Sequence, residues 1–178
     1  MEEIITRLHL HRFDAVELSV NVIALALAFV IALPVGWDRE KSTRTMGLRT
    51  FPLVAVASAA FVMMARSAFE GAPDAQARVL QGVLTGIGFI GGGAILKRRE
   101  RVLGAATAAA LWGTAGIGAA VAHGLYEVAV VLSLVSFLTL RVMGPVKKQM
   151  NGNEQWDDGV PGPGEGDAEE EEEEEEED

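Results

Sequence analysis

Asp38, Arg39 and Glu40, followed by Arg49, are the first residues whose types could do chemistry. Two nearby carboxylates offer hard oxygen ligands to a divalent cation, and Mg²⁺ usually keeps several waters around one or two carboxylates. On a helix, however, positions 38 and 40 point roughly 200° apart, so they do not share a face. With Arg39 and Arg49 beside them, the residues read first as an interfacial salt-bridge cluster locking two helices together, with direct magnesium binding as the alternative. Asn21, Gln81, Thr85, Thr107 and Thr114 form a second set, uncharged and scattered through apolar sequence. Such side chains either line an ion path or hydrogen-bond between helices, and the second use is the commoner in lipid. Catalysis finds little support, because His9 and His11 stand in a polar amino-terminal segment with no Ser-His-acid set or metal-ligand spacing. The chain is therefore expected not to be an enzyme and to need no cofactor.

A third pattern is glycine. Gly82 to Gly93 reads Gly-Val-Leu-Thr-Gly-Ile-Gly-Phe-Ile-Gly-Gly-Gly, and Gly86, Gly88 and Gly91 spell a literal Gly-x-Gly-x-x-Gly. A dinucleotide loop needs a preceding strand, a following amphipathic helix and an acid about 20 residues on. The segment that follows here is apolar, and Gly104 to Trp112 holds no acid. The glycines fit a membrane helix better: Gly82 with Gly86, and Gly88 with Gly92, are small-xxx-small pairs of the kind that let helices cross closely in lipid. Their expected neighbours are small residues of the next span, such as Gly113 and Gly116. An unwound Gly91-Gly92-Gly93, with its backbone carbonyls exposed, is the one version that would favour transport.

The elements that must position these residues follow from long apolar runs. Leu18 to Val35 is long enough to cross a hydrocarbon core about 30 Å thick, and Pro34 is placed to kink or end it. Trp37 to Arg49 reads as a charged loop, Phe51 to Ala65 as a shorter second span, and Arg66 to Arg78 as a loop with turn residues. Val79 to Leu96 is the glycine-rich third span, Lys97 to Arg101 a basic turn, and Val102 to Ala122 the fourth span. Val128 to Met143 makes the fifth, with Gly144 and Pro145 expected to stop it. None of these spans has an acid or base at its middle, where ion-coupled carriers usually place one.

Charge divides the chain in two. From Asn151 to Asp178 there are fifteen acids and no Lys or Arg, nine of them consecutive glutamates at 169–177, whereas residues 1–150 hold ten acids against fifteen bases. The expected organisation is a transmembrane domain over 1–150 and a disordered acidic tail over 151–178, because like charges repel and no apolar surface offsets the ordering entropy. There is no cysteine, so neither a disulfide framework nor a thiolate site arises. Basic loops follow spans one, three and five, which by the positive-inside rule puts the amino terminus outside and the carboxyl terminus in the cytoplasm. The expected fold is all-α, a polytopic bundle of five transmembrane helices in the cell membrane. Its basic loops suit anionic lipid better than nucleic acid.

Four motifs in order resemble the MgtC/SapB family, often labelled magnesium transporter C. Gly36-Trp37-Asp38-Arg39-Glu40 is similar to its Gly-x-Glu-Arg-Glu element, and Gly47-Leu48-Arg49-Thr50 to its Gly-Leu-Arg-Thr. Gly86-Ile87-Gly88-Phe89-Ile90-Gly91-Gly92-Gly93 resembles Gly-Ile-Gly-Phe-Leu-Gly-Ala-Gly. Gly104 to Trp112 resembles Gly-Leu-Thr-Thr-Ala-Ala-x-Leu-Trp, keeping Thr107, Leu111 and Trp112. Asp38 stands for the usual Glu, and Ala105 and Ala106 stand for Leu and the first Thr. The resemblance covers residues 18 to 140 and implies a short form with an acidic tail where longer members carry a cytoplasmic domain. It implies a regulator or accessory protein of magnesium homeostasis, acting by helix contacts with a partner membrane complex. A second copy of the chain is a further candidate partner, and an ion channel or carrier is the alternative function. The motif positions Asp38, Arg39, Glu40, Gly47, Arg49, Thr50, Gly86, Gly88, Phe89, Gly91, Gly93, Thr107 and Trp112 are the candidate interaction residues.

Overall fold

The computed structural model describes residues 14–42, 46–98 and 101–150. The acidic tail, His9, His11, Arg44, Arg99 and Glu100 lie outside the described residues. Five helices run up and down: α1 Ala15–Ser42, α2 Thr50–Ala68, α3 Pro73–Gly93, α4 Ala105–Ala122 and α5 Tyr126–Met150. A short antiparallel ribbon joins α3 to α4, with β1 Leu96–Arg98 paired to β2 Arg101–Leu103 in the register Leu96 to Leu103. Four helices, α1, α2, α4 and α5, are long and apolar enough to cross a membrane. Residues such as Val22, Ile23, Val30, Val131, Leu134 and Leu138 face outward on α1 and α5. A contiguous exposed surface of such side chains needs lipid around it, and the fold is an all-α, polytopic membrane bundle.

α3 differs from the other four. Its Gln76, Arg78 and Gln81, together with six glycines, dilute its hydropathy, yet it lies between the ends of the bundle against α2 and α4.

α4 is the central helix and touches all the others. Its sequence explains this: Ala, Gly, Leu and Ile occupy every side, and a helix apolar all round is stable only when surrounded. The core it organises is built largely of alanine, with Ala24, Ala28, Ala32, Ala55, Ala59, Ala119, Ala120 and Ala122 in one cluster and Val35, Phe51, Val54, Ala110, Leu111 and Ala115 in another. Small side chains bring backbones close. A Cβ added to Gly118 would lie 2.1 Å from the Ala55 carbonyl oxygen of α2.

Several expected boundaries move. α1 continues through Pro34 to Ser42, so Trp37 to Lys41 are helical and not a loop. Proline removes one amide bond from a helix, and neighbouring helices and local adjustment offset such a loss in membrane bundles. α3 starts at Pro73, a first-turn position suited to proline, and ends at Gly93 rather than Leu96. Lys97 and Arg98 belong to the ribbon, which also takes Val102 and Leu103 from the expected fourth span. Gly104 closes it at φ 81°, where an added Cβ would meet the Ala94 carbonyl oxygen at 1.8 Å; glycine is the residue without that penalty. Gly144 and Pro145 do not stop α5, which runs on to Met150. Missing one amide donor is a smaller perturbation than ending a helix whose flanking turns are intact.

Candidate functional site

The alternation of helices gathers the carboxyl ends of α1 and α3, the ribbon and the amino end of α2 at one end of the bundle. The bases at positions 39, 41, 49, 97, 98 and 101 belong to that end. The opposite end carries Glu17, Glu70, Asp74 and Glu127, with Arg66 and Arg78. The ends thus differ in sign.

At the basic end, Arg39 Nη2 donates to Asp38 Oδ2 at 2.9 Å, and the two side chains are almost completely covered, at 4% and 6% exposure. Glu40 points elsewhere and is exposed; its Oε2 accepts the Leu48 amide at 2.9 Å. The two carboxylates therefore diverge as their spacing requires. Gly47 lies so close to Glu40 that an added Cβ would be 2.7 Å from the Glu40 Cα, while Gly36 abuts Phe51 and Pro52 at 3.4 Å. These motif glycines fold the α1–α2 connection back on α1. Lys41 adds a cation–π contact, with Nζ 5.0 Å from the centre of the Trp37 ring.

Arg49 departs from expectation. It does not join the Asp38–Arg39 pair; it is exposed at the start of α2 and makes no ion pair among the described residues. Asp38 and Arg39 pair with each other within α1 and so do not by that contact join two helices, whereas Glu40, through the Leu48 amide, ties α1 to the chain leading into α2. Among the described residues no group of three or more His, Cys, Asp or Glu is placed to hold a metal.

The glycine helix also departs from expectation. Neither small-xxx-small pair packs against the bundle; the buried glycine is Gly91, a member of neither pair, with its Cβ position 3.4 Å from the Ala108 carbonyl oxygen of α4. Gly82, Gly86, Gly88, Gly92 and Gly93 face open space, and Phe89 is 86% exposed. Gly113 and Gly116 turn instead toward Ser136 and Leu132 of α5. The physical reason is rotation. Burying Gly91, Leu80 and Ile87 against the bundle leaves the two small-residue pairs on faces about 120° apart, both pointing outward. Nor does the triple glycine unwind: α3 stays helical to Gly93, and the Ala94 and Ile95 amides bond back to Gly91 and Gly92 carbonyls at 3.1 Å.

Polar residues of the spans do not share one cavity. Asn21 lines a vestibule of about 690 Å³ at the acidic end with Glu17, Arg66, Glu70 and His123. Thr107 and Thr114 are buried on α4, and Thr114 Oγ1 donates to its own helix at the Ala110 carbonyl, 2.8 Å away. Gln81 and Thr85 lie on the exposed side of α3, joined by a bond from Thr85 Oγ1 to the Gln81 carbonyl. Thr50 borders a groove between α2 and α3, and Trp112 points outward, 57% exposed.

Two structural residues escaped sequence reasoning. Gly118 had a signal, the small-xxx-small run Thr114, Gly118, Ala122. Ser133 had none beyond being a serine in an apolar run; its Oγ donates to the Ile31 carbonyl of α1 at 2.6 Å.

Comparison with known proteins gives the family. The chain is 40% identical over 129 residues to Protein SrpB of Synechococcus elongatus, covering 65% of this chain and 70% of that one. It is 34% identical over 127 residues to the putative magnesium transporter YhiD of Escherichia coli K12, covering 68% and 59%. To Protein MgtC of Salmonella typhimurium it is 33% identical over 114 residues, covering 64% and 48%. It thus spans from 48% to 70% of the length of these relatives. No solved structure matches. Residues 25–149 match the MgtC family, and with the motif geometry above this chain belongs to that family.

Proposed function

We propose that the protein is an integral membrane accessory factor in magnesium homeostasis, acting through lateral contact of α3 with a partner membrane complex. The supporting observation is the unused face of α3. Gly88 and Gly92 stand open with Gln81 and Thr85 on the same side, all exposed. Small residues admit a close helix, and an amide and a hydroxyl offer it hydrogen bonds in lipid. The basic end would face the cytoplasm of the cell membrane, so that the amino terminus lies outside. The chain is read as having no catalytic role of its own.

The link to magnesium rests on the family and on its relative YhiD, a putative magnesium transporter. That relative also favours a second reading, an ion carrier, whose test is Mg²⁺ uptake by liposomes containing the purified protein. The scattered polar residues weigh on the side of the accessory role.

The discriminating experiment is copurification of membrane complexes after growth in low magnesium. Gly92→Leu should lose the partner while Gly86→Leu, on the other outward face, retains it. Equal recovery with both, with the protein intact, refutes the assignment of the contact face.

A further inference from the structure

The second outward face of α3 forms a groove with α2. Its volume is about 960 Å³ and its walls are Leu53, Ala57 and Phe61 on one side and Val79, Gly86 and Ile90 on the other. Arg49 and Thr50 stand at one end. From Arg49 to Phe61 the α2 rise of 1.5 Å per residue gives a length of roughly 18 Å. That is close to half of a hydrocarbon core about 30 Å thick, the depth of one leaflet. Glycines keep the channel open: Gly82 and Gly86 have nothing within 4 Å of their Cβ positions.

We infer that this groove is a binding site for one anionic phospholipid from the leaflet at the basic end, with an acyl chain between α2 and α3 and the phosphate at Arg49. Charge complementarity selects this occupant. Arg49 is exposed, has no acid bonded to it among the described residues, and starts a helix without an acidic residue in its first turn. Arg presents a fork of donors that matches phosphate oxygens, and it is this guanidinium that would hold the phosphate, because the Thr50 and Phe51 amides already donate to the Gly47 carbonyl at 3.0 and 3.1 Å. The ribbon strands carrying positions 97, 98 and 101 connect at the same end. A second copy fits less well. Two copies share one orientation in a membrane, and a two-fold contact places the same patch against itself, bringing the Arg49 charges together.

This site is separate from the Gly88–Gly92 face, so the two assignments fail independently. The test is native mass spectrometry of the full chain in detergent, with phosphatidylglycerol or phosphatidylcholine of identical acyl chains added at equal concentration. Wild type should retain phosphatidylglycerol over phosphatidylcholine by about fivefold, the effect of one base near an anionic headgroup. Arg49→Gln should bring the two lipids to parity, Gly86→Leu should displace both, and glycerol phosphate without chains should not compete. Gly86→Leu fills open space, and unchanged thermal unfolding will show that it folds. Equal retention of the two lipids by wild type, an unaltered preference in Arg49→Gln, undiminished lipid in Gly86→Leu, or a protein dimer in place of the lipid adduct overturns the proposal.

Discussion

Gly118→Ala examines the closest approach in the bundle. The new methyl carbon would start 2.1 Å from the Ala55 carbonyl oxygen, 2.9 Å from its carbon and 3.0 Å from the Ala59 nitrogen. A carbon–oxygen contact between helices settles at about 3.3 to 3.6 Å, so α2 and α4 must separate by more than about 1 Å. All three obstructing atoms are backbone, and no rotamer change relieves the overlap. Overpacking of this kind costs about 1 to 3 kcal/mol, and in lipid the helices persist when the bundle comes apart, so alanine's better helix propensity offsets little. We expect a loss of about 2 kcal/mol for Gly118→Ala. Gly88→Ala, which meets nothing within 4 Å, should leave stability nearly unchanged, because it overlaps no neighbour and the helix persists in both states. Reversible unfolding in one micelle or bicelle composition measures both. If the two variants unfold together, or Gly118→Ala is the more stable, the close approach is not a source of the bundle's specificity.

Two other substitutions probe polar contacts. Asp38→Ala removes the carboxylate bonded at 2.9 Å to the buried Arg39 guanidinium and should destabilise by about 1.5 to 3 kcal/mol, the range for a hydrogen bond to a charged group, in the same unfolding assay. Ser133→Ala removes the bond to the Ile31 carbonyl that ties α5 to α1. Interhelical hydrogen bonds in membranes average about 0.6 kcal/mol, so its loss should be small and should add to that of Gly118→Ala, whose contacts lie between α2 and α4.

The amino-acid sequence by itself determined the fold class and the number of helices. Runs such as Leu18 to Val35 are too long and apolar for a soluble helix, and the run of motifs through Gly36, Gly47, Gly86 and Gly104 pointed to the family. It also determined that positions 38 and 40 cannot serve one face, since that follows from helical pitch alone. Boundaries were less legible. Pro34 and Pro145 look like helix ends locally, but the loss of a single hydrogen bond is outweighed when the surrounding turns and neighbours persist. The ribbon at Leu96 to Leu103 was hidden because its short apolar ends resemble the ends of spans.

Only the tertiary structure decided which glycines pack. Hydropathy does not record the rotation of a helix about its axis, and that rotation turned Gly82, Gly86, Gly88 and Gly92 outward while bringing Gly118 against Ala55. The same holds for charge. Asp38, Arg39 and Arg49 are equally polar in sequence, yet packing buried the first two as a pair and left Arg49 exposed at the mouth of an apolar groove. Such assignments depend on which side of each helix its neighbours cover, a property of the assembled bundle and not of any segment within it.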